Sequence, residues 1–286
     1  MRPTQLQKAE RFRELHAREG AFVIPNPWDA GSARILAAIG FEALTTTSAG
    51  LAFTLGRRDG SASRQETLAN ARVIVDATDL PVAADLENGF GDSPDDAAKT
   101  VRLAGETAGL VGGSIEDASR DPRKPIYEIG HATERMAAAV EAARALPFPF
   151  VLVGRAENYL HGRPDLDDTI KRLQAYEKAG ADALYAPGLS RPEDIRTVCA
   201  SVSKPVNVLV TGTDMTVKEL AALGVRRISV GSALSRAALG ALVRAGKEML
   251  ESGTFTFTKS ALPFAEANEL VSTPALQSSP PQTPQR

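Results

Sequence analysis

The chain is poor in the residues that crosslink a protein or anchor it. It has one cysteine, Cys199, in 286 residues, so no internal disulfide can form, and the reducing cytoplasm is the expected compartment. Its three histidines, His16, His131 and His161, are scattered and do not make the clustered His/Cys set that holds Zn2+. The apolar runs are strand-sized and none could span a bilayer. There is no long basic run, and the net charge is −2. Neither a membrane nor nucleic acid is therefore expected as a partner. The opening segment MRPTQLQKAERFRELHAREG reads as a polar amphipathic helix without the apolar core of a signal peptide. His16 falls on that helix and is expected at the surface.

What the chain does have is alternation. Short apolar runs recur as AFVIP (21–25), EALTT (42–46), PVAAD (81–85), GLVGGSIE (109–116), FVLVGR (150–155), ADALYA (181–186), PVNVLV (205–210) and RRISVG (226–231). Between them lie segments such as RQETLANARVIVDAT, PDDAAKTVRLAGETAG, TERMAAAVEAARAL and LDDTIKRLQAYEKAG. Their apolar positions recur at three and four residues among good helix formers. Two of these segments stop on glycine, at Gly109 and Gly180, just before the next strand. Eight strand–helix units imply parallel strands covered by helices, and closure into an α/β (β/α)8 TIM barrel accounts for all of them. An open doubly wound sheet would want a glycine-rich phosphate loop after an early strand, and no G-x-G-x-x-G follows AFVIP. The glycines of GLVGGS read as close-packing positions in the barrel wall. One barrel domain with its N-terminal helix is expected over 1–271. The segment STPALQSSPPQTPQR (272–286), rich in Pro, Ser and Gln, is expected to be a disordered tail.

In such a barrel the chemistry sits at the C-terminal ends of the strands, and that rule selects acids. Asp85 ends the third strand and Glu87 follows it. Glu116 and Asp117 end the fourth. Asp59 lies in the loop after the second, and Arg155, Glu157 and Asn158 end the fifth. AADLENGFGD (83–92) carries its acids with no cation beside them in sequence. Carboxylates gathered in this way repel one another, and a bound divalent cation would compensate them. All-oxygen ligation favours Mg2+, or Mn2+, over Zn2+. Helix capping and bridges to arginine are the other reading of the same acids, and Arg155 can equally be a structural ion pair or a substrate contact.

NPWDAGSARILAAIGFEALTTTSAGLA, LGRRDG, VAADLENGFGD, GGSIEDA, VGRAENYL and ADALYAPGL, in this order, resemble the isocitrate lyase/phosphoenolpyruvate mutase superfamily. The resemblance covers about residues 20–250. It implies a barrel whose eighth helix is exchanged between subunits of a homodimer or homotetramer. It implies Mg2+ on Asp85, with Asp59, Glu87 and Glu116 reaching it mostly through water. Glu87 stands where many relatives have Asp. The implied ligand is a small 2-oxo acid or its enolate. Its carboxylate is taken by the turn Thr46–Thr47–Ser48–Ala49, Trp28 and Asp29 wall the pocket, Arg155 pairs with the substrate, and Asn207 joins the binding set. Arg155, Glu116 and Asp59 are the implied catalytic residues.

The departures bear on the reaction. Isocitrate and methylisocitrate lyases carry a Lys-Lys-Cys-Gly-His segment after the fourth strand, with its Cys as acid–base group. Here that loop reads ASRDPRKPIYEIGHATE (118–134), with no Cys and no Asn. Cys199 is expected in the core. The lyases also carry a Glu after the sixth strand, where this chain has Pro187-Gly188-Leu189, so a smaller substrate is expected. The expected function is a Mg2+-dependent lyase that forms or stabilises an enolate from a small 2-oxo or 2-hydroxy dicarboxylate, by carbon–carbon cleavage or decarboxylation. A phosphonopyruvate or phosphoenolpyruvate carbon–phosphorus enzyme and a non-catalytic 2-oxo acid-binding protein are the alternatives. His131 and His161, placed in loops on the active-site side, and Tyr127 and Tyr159 are candidate proton donors.

Overall fold

Every one of the eight apolar runs is a strand in the computed structural model, which describes residues 2–210 and 214–272. The order is α1 (Gln5–Ala17), β1 (Phe22–Val23), α2 (Ala30–Ala38), β2 (Leu44–Thr45), α3 (Ser48–Thr54), α4 (Arg64–Ala77), β3 (Val82–Asp85), α5 (Pro94–Glu106), β4 (Gly112–Glu116), α6 (Ile129–Arg144), β5 (Val151–Arg155), α7 (Leu166–Ala179), β6 (Ala183–Tyr185), α8 (Pro192–Ser201), β7 (Val206–Leu209), α9 (Val217–Ala222), β8 (Arg227–Ser229), α10 (Ala233–Ser252) and α11 (Phe264–Ser272), with a 3-10 turn at Thr256–Ser260. The tail reading falls, Ser272 aside, outside the described residues.

All ladders are parallel, and the strands follow in order from β2 to β8, with β1 paired to β8. Strands buried on both faces need apolar side chains throughout, which is why the runs are continuous rather than alternating. The seam between β1 and β2 is held by the Thr45 N–H donating to the Pro25 carbonyl at 3.1 Å. Asn26 reinforces it. Its amide donates to the Thr46 carbonyl at 3.1 Å, and its Oδ1 accepts from Val230 and Gly231 N–H at 3.0 and 2.9 Å. One buried side chain thus ties the ends of the first, second and eighth strands. The fold is a (β/α)8 barrel.

Two sequence readings of glycine hold. A Cβ on Gly112 would lie 2.7 Å from Phe12 and 2.8 Å from the Val151 carbonyl, and one on Gly113 would lie 2.6 Å from Leu86. GLVGGS is therefore a place where the wall has no room for a methyl group. Gly180 ends α7 with φ 105°, in the left-handed region that glycine enters at least cost.

α1 closes the bottom of the barrel. Ala9, Phe12 and Leu15 pack with Phe22, Ile24, Ala43, Ala83, Val111 and Val151. This corrects the surface placement of His16. Its ring is 9% exposed, lies between the rings of Phe12 and Phe22 at 4.7 and 5.0 Å, and is tied through Nδ1 to the Phe12 carbonyl at 2.8 Å. Burial, with a smaller push from Arg227, lowers its pKa to about 3. Among the described residues no helix is long and apolar enough to cross a membrane.

Candidate active site

β3 delivers Asp85 to the open end of the barrel, and the turn after it is bent unusually. Glu87 and Phe90 have φ of 48° and 59°, and Gly89 has φ 81°. Non-glycine residues in this region carry strain, which persists only where surroundings enforce it. Here Arg64 and Thr100 both donate to the Gly89 carbonyl, at 3.0 and 2.7 Å, Arg135 donates to the Asn88 carbonyl, and the Glu116 N–H donates to the Glu87 carbonyl at 3.0 Å. The bend sets Glu87 beside Asp85.

The acids do converge. Asp85 accepts from the Ser48 hydroxyl at 2.9 Å and from the Glu87 N–H at 3.1 Å. Burial first, then Asp85, raises the Asp59 pKa. Burial and Asp85 likewise push Glu87 up to about 7, against the pull of Arg120. Glu116 is held well above the usual carboxylate range by burial, with Arg155 opposing and Glu157, Asp85 and Glu87 adding to the rise.

The absence of a cation in the local sequence does not carry into space. Arg155 Nη1 lies 3.3 Å from Glu116 and 3.5 Å from Asp85, its Nε donates to Glu157 at 2.5 Å, and its guanidinium stands over the Tyr185 ring at 5.1 Å. Arg120, from the loop after β4, donates to Glu87 Oε2 at 3.1 Å. Both arginines come from later strands and loops, so a reading of neighbours in sequence could not see them.

The donor set nevertheless suits a hard cation. All the donors are oxygen, the Asp85 charge adds to the rise in pKa of Asp59, Glu87 and Glu116, and Glu87 Oε1 is buried with no hydrogen-bond partner. Among the described residues, no three His, Cys, Asp or Glu side chains stand as a set that could by itself hold a metal ion. Mg2+ does not need one, because it keeps several waters and takes one or two carboxylates directly. Asp85, with Asp59, Glu87 and Glu116 around it, fits that mode.

A cavity of about 190 Å3 opens beside these acids. Of the residues singled out by sequence, Thr46, Thr47, Ser48, Ala49, Asp59, Asp85, Arg155 and Asn207 line it. Glu87, Glu116, Trp28 and Asp29 are not in the lining. Asp29 caps α2, accepting from the Ser32 N–H at 2.7 Å, and Trp28 packs against Gly50 of α3.

The remaining candidates fall elsewhere. Asp117 is a buried strut: it accepts from Tyr176 at 2.6 Å, Arg172 at 3.0 Å and the Glu157 N–H at 2.8 Å. His131 lies in the first turn of α6 rather than in a loop, with Nε2 2.8 Å from the Asp92 carbonyl. His161 stands 3.7 Å from Glu157. Tyr127 donates to Asp92 at 2.5 Å, and burial together with that carboxylate raises its pKa to about 12, so it keeps its proton. Tyr159, its pKa raised by burial, is outside the cavity lining. Cys199 sits on α8 against the core, and burial raises its thiol to about 11, which makes it unreactive. Sequence reasoning passed over Tyr185, Arg227 and Ser229, which line the same cavity. The available signal was polar residues at every second position of a barrel strand, because those side chains face inward together.

A parallel barrel with carboxylates and an arginine at the C-terminal ends of its strands is the architecture of α/β-barrel enzymes. The chain belongs to the isocitrate lyase/phosphoenolpyruvate mutase superfamily: the phosphoenolpyruvate phosphomutase family model matches residues 12–250. A 2-methylisocitrate lyase from Halalkalibacterium halodurans is 30% identical over 209 residues, 71% of this chain and 67% of that protein. The crystal structure of a chain from Burkholderia cenocepacia J2315, assigned to the lyases and mutases, is 58% identical with a TM-score of 0.92, over 94% of this chain and 97% of that one. Oxaloacetate acetylhydrolase in complex with oxalate is 25% identical with a TM-score of 0.83, over 95% of each chain.

Proposed function

We propose that the protein is a Mg2+-dependent carbon–carbon lyase, of carboxy-lyase or oxo-acid-lyase type, that forms an enolate from a small 2-oxo or 2-hydroxy dicarboxylate. One observation carries the reading: Asp59 and Asp85, the Thr46–Ala49 turn and Arg155 face a single small cavity. A divalent cation among the acids would supply positive charge where negative charge develops on the substrate's carbonyl oxygen. The chain's own groups do the rest. The Thr46–Ala49 backbone and Arg155 orient the substrate carboxylate, and the planar guanidinium suits a two-point grip. Asp59, in the cavity lining, and Glu116, 3.3 Å from Arg155, are the carboxyls placed to take up or return a proton.

Bond specificity follows from what the loop after β4 offers. It has no thiol, and its side chains are engaged locally: Ser119 donates to the Lys124 carbonyl at 2.5 Å and Arg120 is on Glu87. This favours a substrate that needs no loop cysteine. The test is pyruvate release from oxaloacetate, methylisocitrate, isocitrate and phosphonopyruvate with Mg2+. Release from oxaloacetate or a close analogue is expected. Rapid methylisocitrate cleavage overturns the substrate class, phosphonopyruvate turnover replaces it with carbon–phosphorus chemistry, and binding of 2-oxo acids without turnover of any makes the protein a binder.

The reading includes assembly in the cytoplasm as a homodimer or homotetramer. In α10 only Ser235 is buried, and Leu242, Val243 and Leu250 are 66%, 55% and 87% exposed. A helix that leaves the barrel with its apolar side uncovered supports exchange between two copies. Light scattering that gives a monomer at micromolar concentration would rule this out.

A further inference from the structure

The cross-strand register runs a single row around the barrel wall. Glu116 on β4 pairs with Arg155 on β5, Arg155 with Tyr185 on β6, Tyr185 with Asn207 on β7, and Asn207 with Arg227 on β8. Strands in a barrel tilt from its axis, so the row descends as it goes round. It begins at the mouth with Glu116 and ends at Arg227, the first residue of its strand. Arg155, Tyr185, Asn207 and Arg227 all line the one cavity. The cavity therefore has a guanidinium near its mouth and another at its floor.

The two are not equivalent. Arg155 has three carboxylates around it. Arg227 is 5% exposed, and its Nε and Nη1 are buried without a hydrogen-bond partner. No carboxylate pairs with it among the described residues. Its neighbour Asn207 donates to the Ser229 hydroxyl at 3.0 Å and leaves its own Oδ1 unpartnered. Below it lies His16, a neutral ring. A buried, unpaired guanidinium beside an unpaired amide oxygen is costly to maintain, and a fold of otherwise apolar strands could fill the position with a hydrocarbon side chain. What justifies the charge is a ligand that brings the opposite one.

We infer that Arg227 receives the distal acidic group of the substrate, so that the cavity selects a dianion, held at its head by the mouth and at its tail by the floor. The inference rests on the reading of the cavity as a 2-oxo or 2-hydroxy acid site and adds which residue makes it a dicarboxylate site. Asn207, held by Ser229, sets the position where that group stops. Acids with only one carboxylate leave Arg227 unpaired and gain less.

Calorimetry with Mg2+ on the full chain tests this with three probes. Oxalate reports on the mouth. Malate and 2-hydroxybutyrate differ in the distal carboxylate alone and report on the floor. The wild type is expected to bind malate about tenfold or more tighter than 2-hydroxybutyrate, the range of a charge-assisted hydrogen-bonded pair. Arg227→Met is expected to erase that preference while oxalate binding stays within about twofold, which is close to the limit of non-additivity for separated groups. The ligand-free variant is expected to melt no lower than the wild type, because an uncompensated charge is gone. Arg227→Gln serves if the Met variant does not fold. A wild-type preference for malate that survives in either variant overturns the role of Arg227 and leaves the mouth reading intact. Equal binding of malate and 2-hydroxybutyrate by the wild type overturns it too. Loss of oxalate binding in the wild type instead sinks the proposed function, and malate binding that still depends on Arg227 would then stand by itself.

Discussion

Arg155 Nη1 on β5 reaches past Glu116 on β4, at 3.3 Å, to stand 3.5 Å from Asp85 on β3. One guanidinium thus spans three consecutive strand ends, so its replacement changes both charge and shape. Arg155→Lys keeps the charge but loses the fork. The expected result is a ligand-induced thermal shift with oxalate and Mg2+ that shrinks or vanishes, and a KM for the best 2-oxo acid raised about tenfold or more. An unchanged shift and KM would make Arg155 purely structural.

Asp85→Ala removes the acid that stands 3.5 Å from Arg155 and accepts from the Glu87 N–H. The barrel should remain folded, because Asp85 ends its strand at the mouth and supports no core packing. Mg2+-dependent activity and the Mg2+-induced rise in melting temperature should both disappear, as they should on treating the wild type with EDTA. Full activity in the variant, or indifference to EDTA, contradicts the role given to the acids.

His16 makes a prediction about pH. Its folded-state pKa is depressed to about 3, whereas the unfolded chain takes up a proton near pH 6.5. Stability from this group is fully present above pH 6.5 and is lost as pH falls, because only the unfolded state gains the proton. Between pH 7 and pH 5 the loss is about 2 kcal/mol. His16→Met should lose less than the wild type by about that amount, read from urea midpoints at the two pH values. Parallel losses in the two proteins would mean that the ring is accessible to protons in the folded state.

Gly112→Ala tests the tight wall. The added methyl meets Phe12 and the Val151 carbonyl, and the carbonyl is backbone that cannot swing aside. Destabilisation of about 1–3 kcal/mol is expected, with the urea midpoint as the measurement. A neutral result would show that α1 rides easily on the barrel floor.

The barrel was legible because burial on both faces forces continuous apolar runs, and eight such runs in alternation with helices leave few other topologies. The acids were legible because strand ends are where barrels place chemistry. Their compensation was not. Arg155 was read as a structural ion pair or a substrate contact without its partners on neighbouring strands, and Arg120 was given no role, because pairings across strands are invisible along the chain. His16 was misread for a related reason: α1 is polar enough to suggest a surface helix, and only its docking under the barrel buries Phe12, Leu15 and the imidazole together. The resemblance implies Asp29 beside Trp28 at the pocket wall, and the fold also uses Asp29 as the cap of the helix that begins at Ala30. Arg227 sits in RRISVG, where it reads as one of two arginines opening a strand, and only the inward parity that it shares with Ser229 separates it from Arg226.

β1 has one ladder neighbour, β8, through Phe22 with Arg227 and Val23 with Ile228. During synthesis the first strand therefore waits for a partner made about 200 residues later, an interval of roughly 10–40 s at ribosomal speed. Through that interval the floor that Phe22, Ile24 and α1 cover can be built only in part, from Ala43, Ala83, Val111 and Val151. The same delay ties completion of the cavity to the last strand, since Arg227 arrives with it.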